Sequence, residues 1–166
     1  MSKTPQKKPK LVIEAYTDGS ALNNPGPGGY GAVVTIEGIE IELSKGYYKT
    51  TNNRMEIMAV IAVLEEFGPD QHITVFTDST YVINGGSFWI RNWIRNNWIT
   101  SKTQEPVKNK DLWLILNELL RANKVKFVKV KAHSGIAGNE RADKLAKAAA
   151  GNPEVHDVEY INLIGI

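Results

Sequence analysis

The chain has 166 residues, 42% of them hydrophobic and 23% charged, which bounds it to one ordinary domain with a single core and excludes disordered, fibrous and membrane classes. It has no cysteine, so disulfides and thiolate metal sites are excluded and any metal must sit on oxygen or imidazole ligands. The net charge of +2 is unevenly spread: between Ser87 and Lys131 ten Lys or Arg face three acidic residues, so a basic segment and an acidic body share one domain, the first suited to a polyanion and the second to cations.

Residues 1–10, with Lys3, Lys7, Lys8 and Lys10 and almost no apolar side chain, are expected to form a flexible basic arm. The arm does not resemble a signal peptide, and no apolar run is long enough to span a membrane, which points to a cytoplasmic protein. Leu11 to Thr17 reads as a strand. It is followed by Asp18-Gly19-Ser20 and the breakers Asn23 to Gly29, read together as a loop. Tyr30 to Ile36 and Ile39 to Tyr48 are β-rich runs joined at Glu37-Gly38, a hairpin.

Asn53 to Phe67 is apolar on most sides, as expected of a helix buried on a sheet, and ends at Gly68-Pro69. His72 to Thr77 reads as a buried strand and Ser79 to Gly85 as a short helix. Phe88 to Trp98 reads as a separate, aromatic and basic helix. Asp111 to Arg121 carries a helical stripe of Leu112, Trp113, Leu116, Leu119 and Leu120; Lys124 to Val130 is a lysine-edged strand, and a last helix spans about Gly138 to Ala150. Strands that first pair locally and then alternate with helices make an α/β fold with a mixed sheet flanked by helices.

Each acidic candidate has an ordinary structural role open to it. Asp18 before Gly19 suits a turn, Glu56 three residues after Asn53 suits a variant capping box, Asp78 can cap a helix, and Asp143 can pair with Lys147 one helical turn away. Taken together they read differently. Asp18 and Asp78 both follow Thr at the end of a β-run and can project from one sheet edge, and a carboxylate such as Glu56 near the start of a buried helix needs a partner such as a divalent cation. Two Mg²⁺ ions roughly 4 Å apart on such a cluster would serve phosphodiester hydrolysis, with Mn²⁺ a possible substitute. His133, in a small loop with Gly135 and Gly138, suits a proton carrier beside them or a loop residue with no role. Trp113 falls on an apolar stripe, whereas Trp89, Trp93 and Trp98 come with Arg91 and Arg95 and suit a nucleic-acid surface. The Gly26 to Gly31 run lacks the Lys-Ser/Thr ending of a P-loop.

Five blocks carry a family resemblance: Tyr16-Thr17-Asp18-Gly19-Ser20, Asn24 to Gly31, Thr50-Thr51-Asn52-Asn53-Arg54-Met55-Glu56, Thr77-Asp78-Ser79 and Asn139-Glu140-Arg141-Ala142-Asp143. In this order and spacing they resemble type 1 ribonuclease H over about residues 11–155, with 156–166 left as a C-terminal tail. The resemblance implies a five-stranded mixed sheet, three antiparallel strands followed by two parallel to the first. It implies an endonuclease that cuts the RNA strand of RNA/DNA hybrids by two-metal catalysis, leaving 5′-phosphate and 3′-hydroxyl ends. Asp18, Glu56, Asp78 and Asp143 correspond to the metal-binding carboxylates and His133 to the mobile catalytic histidine. Asn24, Asn52 and Asn53 fall at positions reading the RNA minor groove, and Thr51, Asn109 and Trp113 at or beside a DNA-phosphate pocket.

Residues 87–110 resemble the basic protrusion of bacterial members, with Trp89, Trp93 and Trp98 matching its aromatics. Ile94 and Ile99 stand where Lys is common, and Thr80 stands where Gln is usual, which leaves one minor-groove contact open. No hybrid-binding domain is expected before the catalytic one, and a monomer without an obligate protein partner is expected. A silent hybrid-binding module would lack the carboxylates, and an integrase or junction resolvase would lack the Asn-Asn-Arg-Met-Glu block.

Overall fold

Alternation governs the central strand, β1 (Val12–Ala21), where Ile13, Ala15 and Thr17 are buried while Val12 and Glu14 are exposed. The computed structural model describes residues 11–164; the arm expected at 1–10 lies outside them. β2 (Gly26–Ile36) and β3 (Ile39–Thr50) complete an antiparallel meander, joined by Glu37 and Gly38, both at positive φ as a tight hairpin turn requires.

Two boundaries differ from the sequence reading. β1 continues through Asp18-Gly19-Ser20, and β2 begins at Gly26 inside the supposed breaker cluster. The glycines there serve packing. A Cβ at Gly31 would sit 2.5 Å from the Ala142 carbonyl oxygen, so the bare backbone lets the last long helix lie directly on the sheet.

Helix α1 (Asn52–Glu66) is followed by β4 (His72–Thr77), and β5 (Lys124–Lys129) closes the sheet. The strand order is β3-β2-β1-β4-β5, with β4 and β5 parallel to β1. This is the expected five-stranded mixed sheet. α1 packs on β1 and β2 on one face, where Val60, Val63 and Leu64 meet Ile13, Ala15 and Val34 in the core. α4 (Lys110–Ala122) buries Leu112, Trp113 and Leu116 against α1, and α5 (Ala137–Ala150) covers β1, β2 and β3 from the other face.

The two helices expected on either side of Gly85-Gly86 are one continuous run: α2 (Thr80–Asn84), a π-helical turn at Gly85–Trp89, and α3 (Ile90–Arg95). A Cβ on Gly85 would lie 2.1 Å from the Trp113 ring, so this glycine makes room for the indole and does not break the helix. A short α6 (Val158–Ile164) occupies the segment read as a tail. No helix among the described residues is long and apolar enough to cross a membrane.

Candidate active site

β1 and β4 are in parallel register with Tyr16 opposite Phe76, so carrying that register onward sets Asp18 beside Asp78. Asp18 is a strand residue opposite Gly31 on β2, which corrects its turn reading. Glu56 does not cap its helix either. The N-cap is Thr51, whose Oγ1 accepts a hydrogen bond from the Arg54 amide at 3.2 Å, and Glu56 lies beyond the first turn. Ser79 caps α2 by accepting from the Val82 amide at 3.2 Å. Each of the three carboxylates is therefore left without the structural task that would have explained it.

α1 reaches the strand because position 19 has no side chain: a Cβ there would lie 2.3 Å from the Glu56 backbone nitrogen. The result is a tight cluster. One oxygen each from Asp18, Glu56 and Asp78 lie within 4.8 Å of one another. Burial, and then the Asp78 charge, push Asp18 up to about 7. Burial, and then Asp18, hold Glu56 well above the usual carboxylate range. Glu56 Oε2 is buried with no hydrogen-bond partner.

Such a cluster is relieved either by protons or by a cation. An orphaned buried oxygen and an all-oxygen donor set fit a hard divalent ion. Asp143 on α5 faces Asp18 from the side. Burial works to raise its pKa, and the Lys147 ammonium at 2.9 Å outweighs this and lowers it. The expected Asp143–Lys147 pair thus exists, and it also charges a carboxylate facing the cluster. His133 is exposed in the loop between β5 and α5 with φ of 53°, near enough for its charge to act on Asp143.

Beside the cluster, α1 begins in a polar knot. The Asn52 amide donates to Asn24 Oδ1 at 3.0 Å, and the Ala21 amide donates to Asn52 Oδ1 at 2.5 Å. Asn24, Thr51, Asn53 and Asn109 line one cavity of about 990 Å³. Residues read as minor-groove and phosphate contacts are thus neighbours. Asn109, in the left-handed region with φ of 60°, and Trp113 Nε1 both donate to the Tyr81 hydroxyl, at 3.0 and 3.1 Å.

The protrusion residues do not gather at this site as one surface. Trp93 packs at a tilt among Trp89, Trp98 and Trp113 with ring centroids 5.3–5.9 Å apart, and only Trp89 among these four indoles is exposed. Arg91 lines a separate cavity with Lys124 and Lys126 at the start of β5, away from the carboxylates, while Arg95 is exposed at the end of α3.

A family model for RNase H matches residues 10–151. The chain belongs to the ribonuclease H family. It is a nuclease of the type 1 class, 50% identical over 149 residues to ribonuclease H of Haemophilus influenzae (strain 86-028NP), covering 90% of this chain and 96% of that one. Against ribonuclease H of Citrobacter koseri the identity is 49%, over 89% of this chain and 95% of the relative. Among solved structures, LC9-RNase H1, described as a type 1 RNase H with the type 2 active-site motif, has a TM-score of 0.78 at 28% identity, covering 90% of this chain and 76% of that one. LC11-RNase H1, solved in complex with RNA/DNA hybrid, has a TM-score of 0.62 at 30% identity over 84% of this chain and 96% of that one.

Within this ribonuclease H domain, Arg54 is a residue the sequence reading passed over. It is 1% exposed and binds Asp157 through Nε at 2.7 Å, Asp111 through both terminal nitrogens, and Asn109 Oδ1 at 3.3 Å. Burial opposes the Arg54 charge, and the two carboxylates overcome this and raise its pKa. Asp157 also accepts from the Thr50 hydroxyl at 2.7 Å, so the chain beyond 155 is anchored into the domain. The available signal was an Arg directly before Met55, at the start of a helix read as buried on the sheet, since such a charge is buried only with partners.

Proposed function

We propose that this ribonuclease H cleaves the RNA strand of RNA/DNA hybrids endonucleolytically, by two-metal chemistry that leaves 5′-phosphate and 3′-hydroxyl ends. The observation that carries the reading is the three-carboxylate cluster with its orphaned buried Glu56 oxygen, in a chain whose relatives are ribonucleases H. Asp18, Glu56 and Asp78 would hold one divalent ion between them, and Asp143 would complete a second site with Asp18. When bound, two such ions supply a nucleophilic water and a charge clamp on the scissile phosphate. Mg²⁺ is the proposed ion and Mn²⁺ its substitute.

His133 takes a proton at its imidazole from the attacking water or passes one to solvent, which its exposure and loop position allow. Asn24, Asn52 and Asn53 contact the RNA through 2′-hydroxyls, the group by which RNA differs from DNA. Thr51 and Asn109 flank a DNA phosphate, with the fully buried Trp113 holding the Tyr81 hydroxyl behind Asn109 rather than touching the phosphate. The exposed Trp89 and Arg95, backed by Trp93, meet the hybrid, while Arg91 lies on a separate cavity. The solved hybrid complex of LC11-RNase H1 supports the substrate class. A monomer acting in the cytoplasm belongs to the same proposal.

The test is cleavage of a labelled RNA/DNA hybrid, duplex RNA and duplex DNA, each with Mg²⁺ and with chelator. Cutting confined to the RNA of the hybrid and dependent on the ion is expected. Equal cutting of duplex DNA, or cutting in chelator, would refute the reading.

A further inference from the structure

Lys129, the last residue of β5, is used by none of the roles above. Its ammonium donates to the main-chain oxygen of Asp78 at 2.9 Å and to Thr80 Oγ1. It therefore grips the residue whose carboxylate enters the cluster and, two positions on, the first residue of α2. An ammonium has three hydrogens and accepts nothing. Two are engaged here, and among the described residues no carboxylate forms an ion pair with Lys129. The side chain is exposed. A full positive charge with one donor unengaged among the described residues is thus held against the main chain of Asp78, on an exposed side chain.

Thr80 stands where the family resemblance leads one to expect Gln. A Gln amide presents both a donor and an acceptor, a pair that can read a base edge, whereas an ammonium presents donors and charge alone. The Thr80 hydroxyl accepts from Lys129, which leaves its own hydrogen as a further donor. What this corner offers a ligand matches a phosphate oxygen. Phosphate contacts set register along a strand and carry no sequence information.

We propose that Lys129, positioned by Asp78 and Thr80, binds a backbone phosphate of the strand that the carboxylate cluster engages, beside the bond to be cut. The proposal rests on the hybrid-cleavage reading. It makes this contact electrostatic and indifferent to base identity.

Two measurements on Lys129→Gln, Lys129→Arg and the parent test it, with Lys45→Gln on the opposite edge strand β3 as control. The first is hybrid affinity by direct titration in chelator across a salt series. The second is KM and kcat with Mg²⁺. Lys129→Gln is expected to weaken binding several-fold, to lower the slope of log affinity against log salt by about 0.7–0.9, and to raise KM more than it lowers kcat. Lys129→Arg should restore the slope, and Lys45→Gln should match the parent. Unchanged affinity and slope in Lys129→Gln would overturn the proposal, as would a fall in kcat at constant KM that Arg does not rescue, the signature of a side chain that only props Asp78. A parent that does not cut hybrid would instead overturn the reading beneath it.

Discussion

Gly19 and Glu56 touch backbone to backbone: a Cβ added at position 19 would lie 2.3 Å from the Glu56 nitrogen and equally close to the Met55 carbonyl carbon. Neither neighbour is the movable end of a side chain. Gly19→Ala must therefore push α1 away from β1, and Glu56 with it. Overpacking of this kind costs about 1–3 kcal/mol, and the displaced carboxylate should lower Mg²⁺ affinity and cleavage together. Urea unfolding and Mg²⁺ titration check this; parent-like values for both would show that the contact does not position Glu56.

The elevated Asp18 pKa gives a pH dependence with a definite sign. Its ordinary value is 3.8 and its folded value is about 7. The folded state thus holds a proton that the unfolded state has lost, so Asp18 favours folding most below about pH 4 and progressively less as pH rises through 7. In chelator, Asp18→Asn should gain stability over the parent across that window, by roughly 2–4 kcal/mol at most, and the gain should shrink when Mg²⁺ is added to the parent. Unfolding at pH 4 to 8 measures it. A stability difference independent of pH would show that the cluster does not repel as described. The same variant should show no turnover, because a central ligand charge is gone.

Arg54 is nearly without solvent contact and is paired with Asp157 and Asp111. Removing one partner of a buried pair leaves an uncompensated charge, so Asp157→Ala should destabilise the domain by about 3–5 kcal/mol. Hybrid affinity should fall as well, since Arg54 also holds Asn109 Oδ1. A denaturation midpoint close to the parent's would mean that Asp111 suffices for Arg54.

His133→Ala separates a proton carrier from a metal ligand. A carrier contributes roughly 10²–10⁴-fold to the rate, whereas loss of a central carboxylate is near total. His133→Ala should fold, bind hybrid and Mg²⁺ as the parent does, and retain weak cleavage in single-turnover experiments. Cutting at the parent rate, or loss of Mg²⁺ binding, would rule the carrier role out.

The division between sequence and tertiary structure follows from the range of the forces involved. Strand alternation, the stripe of α4, the Glu37-Gly38 hairpin and the recurrence of Thr-Asp after two β-runs are local patterns, readable because each depends on neighbours in the chain. They were enough to expect a mixed sheet with Asp18 and Asp78 projecting from one edge, and the parallel register of β1 and β4 is what sets the two side by side. The same residue that breaks a strand also admits a helix: Gly29 and Gly31 lie within β2, where α5 rests directly on them, and Gly85 continues a helix because Trp113 needs the space. Nothing within a few residues of either distinguishes the two uses. The long-range pairs were equally silent. Arg54 meets Asp157 across 103 positions and Lys129 meets Asp78 across 51. A buried charge and an anchored ammonium acquire their partners only when the sheet and helices close around them, because Coulomb attraction is strong only at short distance and out of water.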